Sequence, residues 1–259
     1  EFIQQDYSVD GLRLWPLVRL KVYFALSRER GLPINDVSVV DRFQMSIEKA
    51  LNIFKSVFTS MFTVQRLFRP DVLVISRASN RIYDGRYYKD SMFDLFSVAE
   101  KKTAVLEFPD LELSRLYRTP RPYYEKVVNA DFLYLVERLY LLWFHVSHTG
   151  SKARYKGMHE FVERISSRGV HSLSLESVER ELSRNVARFS LYKILLRVLK
   201  PKAVVLKAGY DPLSLVITAS CKTLDIPVFE LQHGHIYYGH PGYTLPASLI
   251  EKSYPDYLI

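Results

Sequence analysis

Twelve residues near the C-terminal end, QHGHIYYGHPGY (Gln232–Tyr243), hold three of the chain's seven histidines together with three tyrosines and three glycines. An imidazole that titrates near neutrality can take a proton from a hydroxyl, donate to a phosphate or carboxylate, or ligate a metal. His233 follows an apolar run and precedes Gly234, a residue that lets backbone approach a ligand closely. His233 is therefore the first candidate for a general base. The HxHxxxxH spacing of His233, His235 and His240 also suits a metal. Only Glu230, two residues before Gln232 and inside the preceding run, offers a nearby carboxylate, so no metal is expected. For His235, a plain hydrogen bond to backbone within a tight loop is the alternative.

Further candidates lie upstream. Asp84 precedes Gly85 in RIYDGRYYKD, where a turn and a catalytic carboxylate are equally compatible with the residue pair. Arg77, Arg81 and Arg86 around it can clamp an anionic acceptor or simply face water. Asp211 is followed by Pro212, the pairing expected of a helix N-cap, and Tyr210 stands beside it.

These residues need a scaffold. LRLWPLVRLKVYFALSRER (Leu12–Arg30) has helical periodicity, with Asp10 a candidate cap, Pro16 in the first turn and Gly31 the stop. Gln44 to Phe68 is helical again. FRPDVLVIS then places a proline before the apolar run Val72–Ile75, and VLKPKAVVLKAG repeats that order before Ala203–Leu206. TAVLEF (Thr103–Phe108), preceded by a helix around Ser91–Lys101, and PVFEL (Pro227–Leu231), preceded by a helix from Pro212 to Leu224, complete strand–helix–strand units that build parallel sheets. Residues 122–146, 152–168 and 174–198 read as helices. The fold class expected is α/β, a Rossmann-like parallel sheet flanked by helices, in a single domain over 1–259 with a helical insertion at about 122–198. The closing YPDYLI reads as entry into another strand, so a second domain is expected beyond residue 259. In such sheets ligands sit at the carboxyl ends of the strands, which selects the loops 76–84, 109–112, 207–211 and 232–243.

Composition narrows the classes. The chain has 259 residues, 25% of them charged, and a net charge of +8, which favours anionic partners. No apolar run approaches the 18 residues of a membrane span. A single cysteine, Cys221, excludes an internal disulfide and fits a reducing compartment. The polar, acidic start EFIQQDYSVDG is not that of a signal peptide, so the cytoplasm is the expected location. No GxGxxG, GxxxxGK[ST], GxSxG or HExxH pattern occurs, nor any RRM, KH or zinc-finger signature, and nucleic acid is not the expected partner.

The run KPKAVVLKAGYDPLSLVITASCKTLDIPVFELQHGHIYYGHPGY (200–243), with QHG, HPGY and a later PDY in order, resembles surface-polysaccharide glycosyltransferase-like proteins of the GT-B type. VDGLRLWPLVR looks like the start of the same group. The resemblance implies one lobe of a GT-B architecture, the N-terminal, acceptor-side one, with the nucleotide-sugar donor held by a second lobe and no cofactor bound by this chain. It puts Gln232, His233 and Gly234 on a cleft-facing loop, continued by His240 and Tyr243; Arg77, Arg81, His235, Tyr210 and Asp211, from the strand-end loops, are the further candidates for substrate contact. His233 becomes the expected base and Asp84 the second choice. The implied partner is a glycan or lipid-linked anionic acceptor, with contact to the inner membrane surface. The rivals are a GT-B-shaped epimerase or glycerophosphate transferase, and a basic α/β module that binds nucleic acid or protein without catalysis.

Overall fold

Val72, Leu73, Val74 and Ile75 run without a polar interruption, as do Ala104, Val105 and Leu106, and Val204, Val205 and Leu206. Strands of this kind have apolar side chains on both faces, which only a covered parallel sheet can bury. In the structure, a computed structural model that describes residues 8–9, 12–31, 54, 57–58, 61–62, 69–77, 81–84, 87–90, 102–108, 121–122, 127–148, 158–167, 169–171, 174–231, 243 and 254–259, they do so. The described strands are β1 (Ser8–Val9), β2 (Leu12–Arg13), β3 (Val72–Arg77), β4 (Arg81–Asp84), β5 (Tyr87–Asp90), β6 (Thr103–Phe108), β7 (Arg121–Pro122), β8 (Val127–Asn129), β9 (Ala203–Leu206), β10 (Val228–Glu230) and β11 (Tyr257–Leu258). The helices are α1 (Leu14–Glu29), α2 (Asp131–His148), α3 (Met158–Ser166), α4 (Leu175–Leu199) and α5 (Pro212–Lys222).

The main sheet runs β11-β10-β9-β3-β6-β8 and every pairing in it is parallel. Counting its strands in chain order from β3, this is 6-5-4-1-2-3, the doubly wound Rossmann arrangement read from the other edge. The strands expected at Val72–Ile75, Thr103–Phe108, Ala203–Leu206 and Val228–Leu231 thus lie parallel in one sheet, and the C-terminal YPDYLI enters it through β11. On one face Leu73, Ile75, Ala104, Leu106, Val204, Leu206 and Val228 form the core with α1, α4 and α5. Val74, Val105 and Val205, on the other face, are at most 2% exposed. Each such side chain contributes roughly 1.5–3 kcal/mol by leaving water.

The two sequence copies meet at the centre. Arg69 (φ 47°) and Lys200 (φ 49°) both take the left-handed conformation immediately before their prolines, and the Arg69 amide bonds to the Leu199 carbonyl at 2.8 Å. β3 and β9 leave this point side by side, each opening one half of the sheet.

Helix α4 is capped by Ser174, whose side chain accepts from the Ser177 amide, and ends on Lys200, whose N–H returns to Leu196. It packs against α5, where buried Ser220 donates to Val216 O at 2.8 Å. It also packs against α2, where Arg188 meets nearly buried Glu137 at 2.8 Å. Burial works against the Arg188 charge, but Glu137 outweighs it and the guanidinium is held above its ordinary range.

Several expectations change. α1 starts at Leu14 because Leu12 and Arg13 pair antiparallel with Ser8 and Val9. Its stop is Gly31, at φ 63°, as expected. The insertion at 122–198 is not wholly helical: Val127–Asn129 is the sixth strand of the sheet, paired with β6, and α2 begins only at Asp131. Three residues are too few to establish a period-two pattern beside the long aromatic helix that follows. The helix expected at Ser91–Lys101 lies outside the described residues, as does most of Gln44–Phe68, of which positions 54, 57, 58, 61 and 62 are helical.

Candidate functional site

The order of the sheet reverses between β3 and β9, the switch point at which sheets of this kind bind ligands in a crevice outside the carboxyl ends of their strands. Arg77 is the last residue of β3 and Asp211 the end of the loop after β9. Arg77 Nη2 donates to Asp211 Oδ1 at 2.7 Å, so an ion pair spans the crevice. Asp211 also caps α5: its Oδ1 accepts from the amides of Leu213 (3.1 Å) and Ser214 (3.3 Å), and its Oδ2 from the Ser214 hydroxyl. The N-cap expected from Asp-Pro is present, and the carboxylate is held by four donors.

A second carboxylate lies deeper. Glu230, in β10 and 2% exposed, accepts through Oε1 from the Gly209 amide at 2.8 Å and from the Tyr243 hydroxyl. Gly209 is required by this approach, because a Cβ there would overlap Glu230 Oε2 and stand 2.8 Å from Pro255 Cγ. Glu230 thereby ties together the loop after β9, the segment reaching Tyr243, and the entry to β11.

Aromatic rings continue from this knot. Tyr210 meets Tyr243 edge-on at 5.2 Å, Tyr243 lies 6.2 Å from Tyr254, and the Arg19 guanidinium of α1 sits 5.3 Å over the Tyr254 ring. Burial, followed by the bond to Glu230, lifts the Tyr243 hydroxyl far above the ordinary tyrosine range. Burial pushes Tyr254 up to about 12 against the opposing influence of Arg19. Tyr210 is raised by burial and then by Asp211 and Glu230. At neutral pH all three are hydroxyl donors.

Of the sequence candidates, Arg77, Tyr210, Asp211 and Tyr243 come together here. Asp84 and Arg81 do not lie in the loop after β3 as expected. They form the ends of β4, which pairs antiparallel with β5, Asp84 opposite Tyr87, in a separate sheet of β4, β5 and β7. The turn reading of Asp84-Gly85 agrees with that hairpin. Gln232, His233, Gly234, His235 and His240 lie outside the described residues. Among the described residues no group of three or more His, Cys, Asp or Glu is placed to hold a metal.

Glu230 and Glu107 are the residues that sequence reasoning underused. Glu107, also 2% exposed, stands on β6 opposite Ser76 of β3. The signal for both is a single carboxylate inside an otherwise apolar strand, since a buried charge persists only where partners hold it. The chain matches no protein family, no curated protein and no solved structure.

Proposed function

We propose that this chain is the acceptor-side lobe of a GT-B glycosyltransferase, which transfers a sugar from a nucleotide-sugar held by a second lobe to a glycan or lipid-linked acceptor at the inner membrane face. The supporting observation is the position of Tyr243. Tyr243, the last residue of the QHG…HPGY pattern that carries the resemblance, donates to Glu230 and meets Tyr210 edge-on, beside the switch point of a doubly wound sheet. That is where ligands bind in folds of this kind. Tyr210 supplies a half-buried ring that can pack on a sugar face, and Arg77 and Lys207 at the strand ends supply positive charge for an anionic acceptor.

In this reading His233, next to the strand that carries Glu230, takes the proton from the acceptor hydroxyl as that oxygen bonds the anomeric carbon and the nucleotide leaves with the bonding pair. The roles of Asp211 and Glu230 are structural, since each carboxylate is engaged by donors within the fold. The test uses the protein carrying both lobes, a panel of nucleotide-sugars and a lipid-linked acceptor. His233→Ala lowers turnover by about two to four orders of magnitude with an unchanged melting temperature if the imidazole is the base. Retained turnover with lowered thermal stability overturns that role, and absence of transfer from every donor by the native protein overturns the reading.

A further inference from the structure

Helix α2 is apolar on two opposite sides. Buried Leu133 and Glu137 mark the inner side, where Glu137 meets Arg188 of α4. On the outer side Leu135, Leu139, Leu142 and Val146 are 45–73% exposed. Their spacing is four, three and four residues. That alternation is the a and d pattern of a coiled coil, with Leu135 and Leu142 at d and Leu139 and Val146 at a. A strict stripe of this kind is the narrow face that one helix presents to another, whereas a helix turned to water carries charge there.

The flanks of the stripe follow the same pattern. Val136 and Trp143, 39% and 58% exposed, stand at e on one border, and the Tyr140 ring lies 5.4 Å from that of Trp143. Arg138 stands at g on the other border. From Phe132 to His148 the sequence has no Asp, Glu, Lys or Arg besides Glu137 and Arg138, and Glu137 is turned inward to Arg188. The outer face therefore holds a single cation. Its six apolar residues leave roughly 600 Å² exposed, the upper end for a patch on a monomer and half of the roughly 1,200 Å² that a small stable interface buries in total.

We propose that α2 is the interface of a two-fold dimer, in which it lies side by side and in the same direction with α2 of a second copy. The face is complementary to itself. Leu139 packs on Leu139 of the second copy and Leu142 on Leu142, in successive layers of the pair. In that register a g position of one helix meets the e position five residues on in the other, so Arg138 of each copy lies over the Trp143 indole of its mate, a cation–π contact made twice by the symmetry. An interfacial helix on a bilayer is rich in cations along its polar border, and α2 offers one. An acidic partner would answer Arg138 and leave the stripe uncovered. Because α2 is already held on α4, pairing does not have to order it.

The inference goes beyond the proposed function and does not depend on it, since the dimer stands or falls whether or not the crevice supports transfer of a sugar.

The experiment is the mass of the whole protein in solution, by light scattering and sedimentation equilibrium over a wide range of concentration. The mass expected is twice that of one chain. Leu142→Lys puts two like charges into the stripe, one from each copy, and is expected to weaken dimerisation about a hundredfold with little change in melting temperature, because Leu142 is exposed in the single copy. Arg138→Gln removes both cation–π contacts and is expected to weaken it about tenfold. Leu142→Cys puts two thiols on facing positions within reach of a disulfide, so air oxidation should yield covalent dimers, and the one native cysteine, Cys221, is buried and does not compete. Any of four results overturns the proposal: a single-chain mass at every concentration, a Leu142→Lys protein that dimerises unchanged, a dimer that Leu142→Cys does not cross-link, or masses that climb past the dimer, as a contact between two unlike faces would give. A single-chain protein that sediments with lipid vesicles overturns it in favour of a bilayer as the occupant.

Discussion

Arg77 and Asp211 are 134 positions apart in the chain and 2.7 Å apart in space, joined across the point where the sheet reverses direction. Arg77→Gln removes the ion pair only. Its guanidinium is about half exposed, so the expected loss is under about 1 kcal/mol. Asp211→Ala removes the pair and the cap of α5 together, and the expected loss is about 1–2 kcal/mol more. Urea titration of the two variants gives both values. Equal losses would show that the cap contributes nothing.

Gly209 predicts a sharper effect. With Glu230 Oε2 and Pro255 at the position of any added Cβ, Gly209→Ala forces the loop after β9 away from β10. Overpacking of this kind costs about 1–3 kcal/mol. A crystal structure of the variant should show the Gly209–Glu230 bond lengthened or broken, and unchanged stability would refute the account.

Alkaline pH should unfold the protein ahead of general denaturation. Burial holds the Cys221 thiol up at about 12, from an ordinary 9.0, and Tyr254 at about 12, from an ordinary 10.0. The native state keeps these protons where the unfolded chain has lost them. Stability from these groups is therefore complete below about pH 9 and falls as the pH rises towards 12, by a few kcal/mol in all, on the order expected from the shifts. Urea midpoints across that interval measure it. Cys221→Ala should flatten the first part of the fall and Tyr254→Phe the later part.

The parallel sheet was readable because its strands carry short apolar runs, of which Val72–Ile75 and Ala203–Leu206 stand behind Arg-Pro and Lys-Pro steps. β8 was not, because a three-residue strand owes its place to its neighbour β6 and not to its own sequence. The site was readable in part. Asp211 announces itself through the proline after it, and Arg77 and Tyr210 through their places at strand ends. Glu230 looked like an orphan carboxylate because its partners, Gly209 and Tyr243, lie 21 positions before it and 13 after it. Asp84 was misplaced because a strand-end rule cannot tell the sheet's own loop from a hairpin inserted in it.

The seam between β3 and β9 sets the order in which the crevice can come into being. Its pairing of Val72 with Ala203 joins positions about 130 apart, whereas the other four pairings of the sheet join positions about 22 to 31 apart. Closing the longer loop costs about 1.5 kcal/mol more in chain entropy than closing one of about 24 residues. Each half of the sheet is a short-range assembly, and the crevice is the place where the two assemblies meet. Arg77 and Asp211 are contributed from opposite sides of that meeting and have no common environment before it.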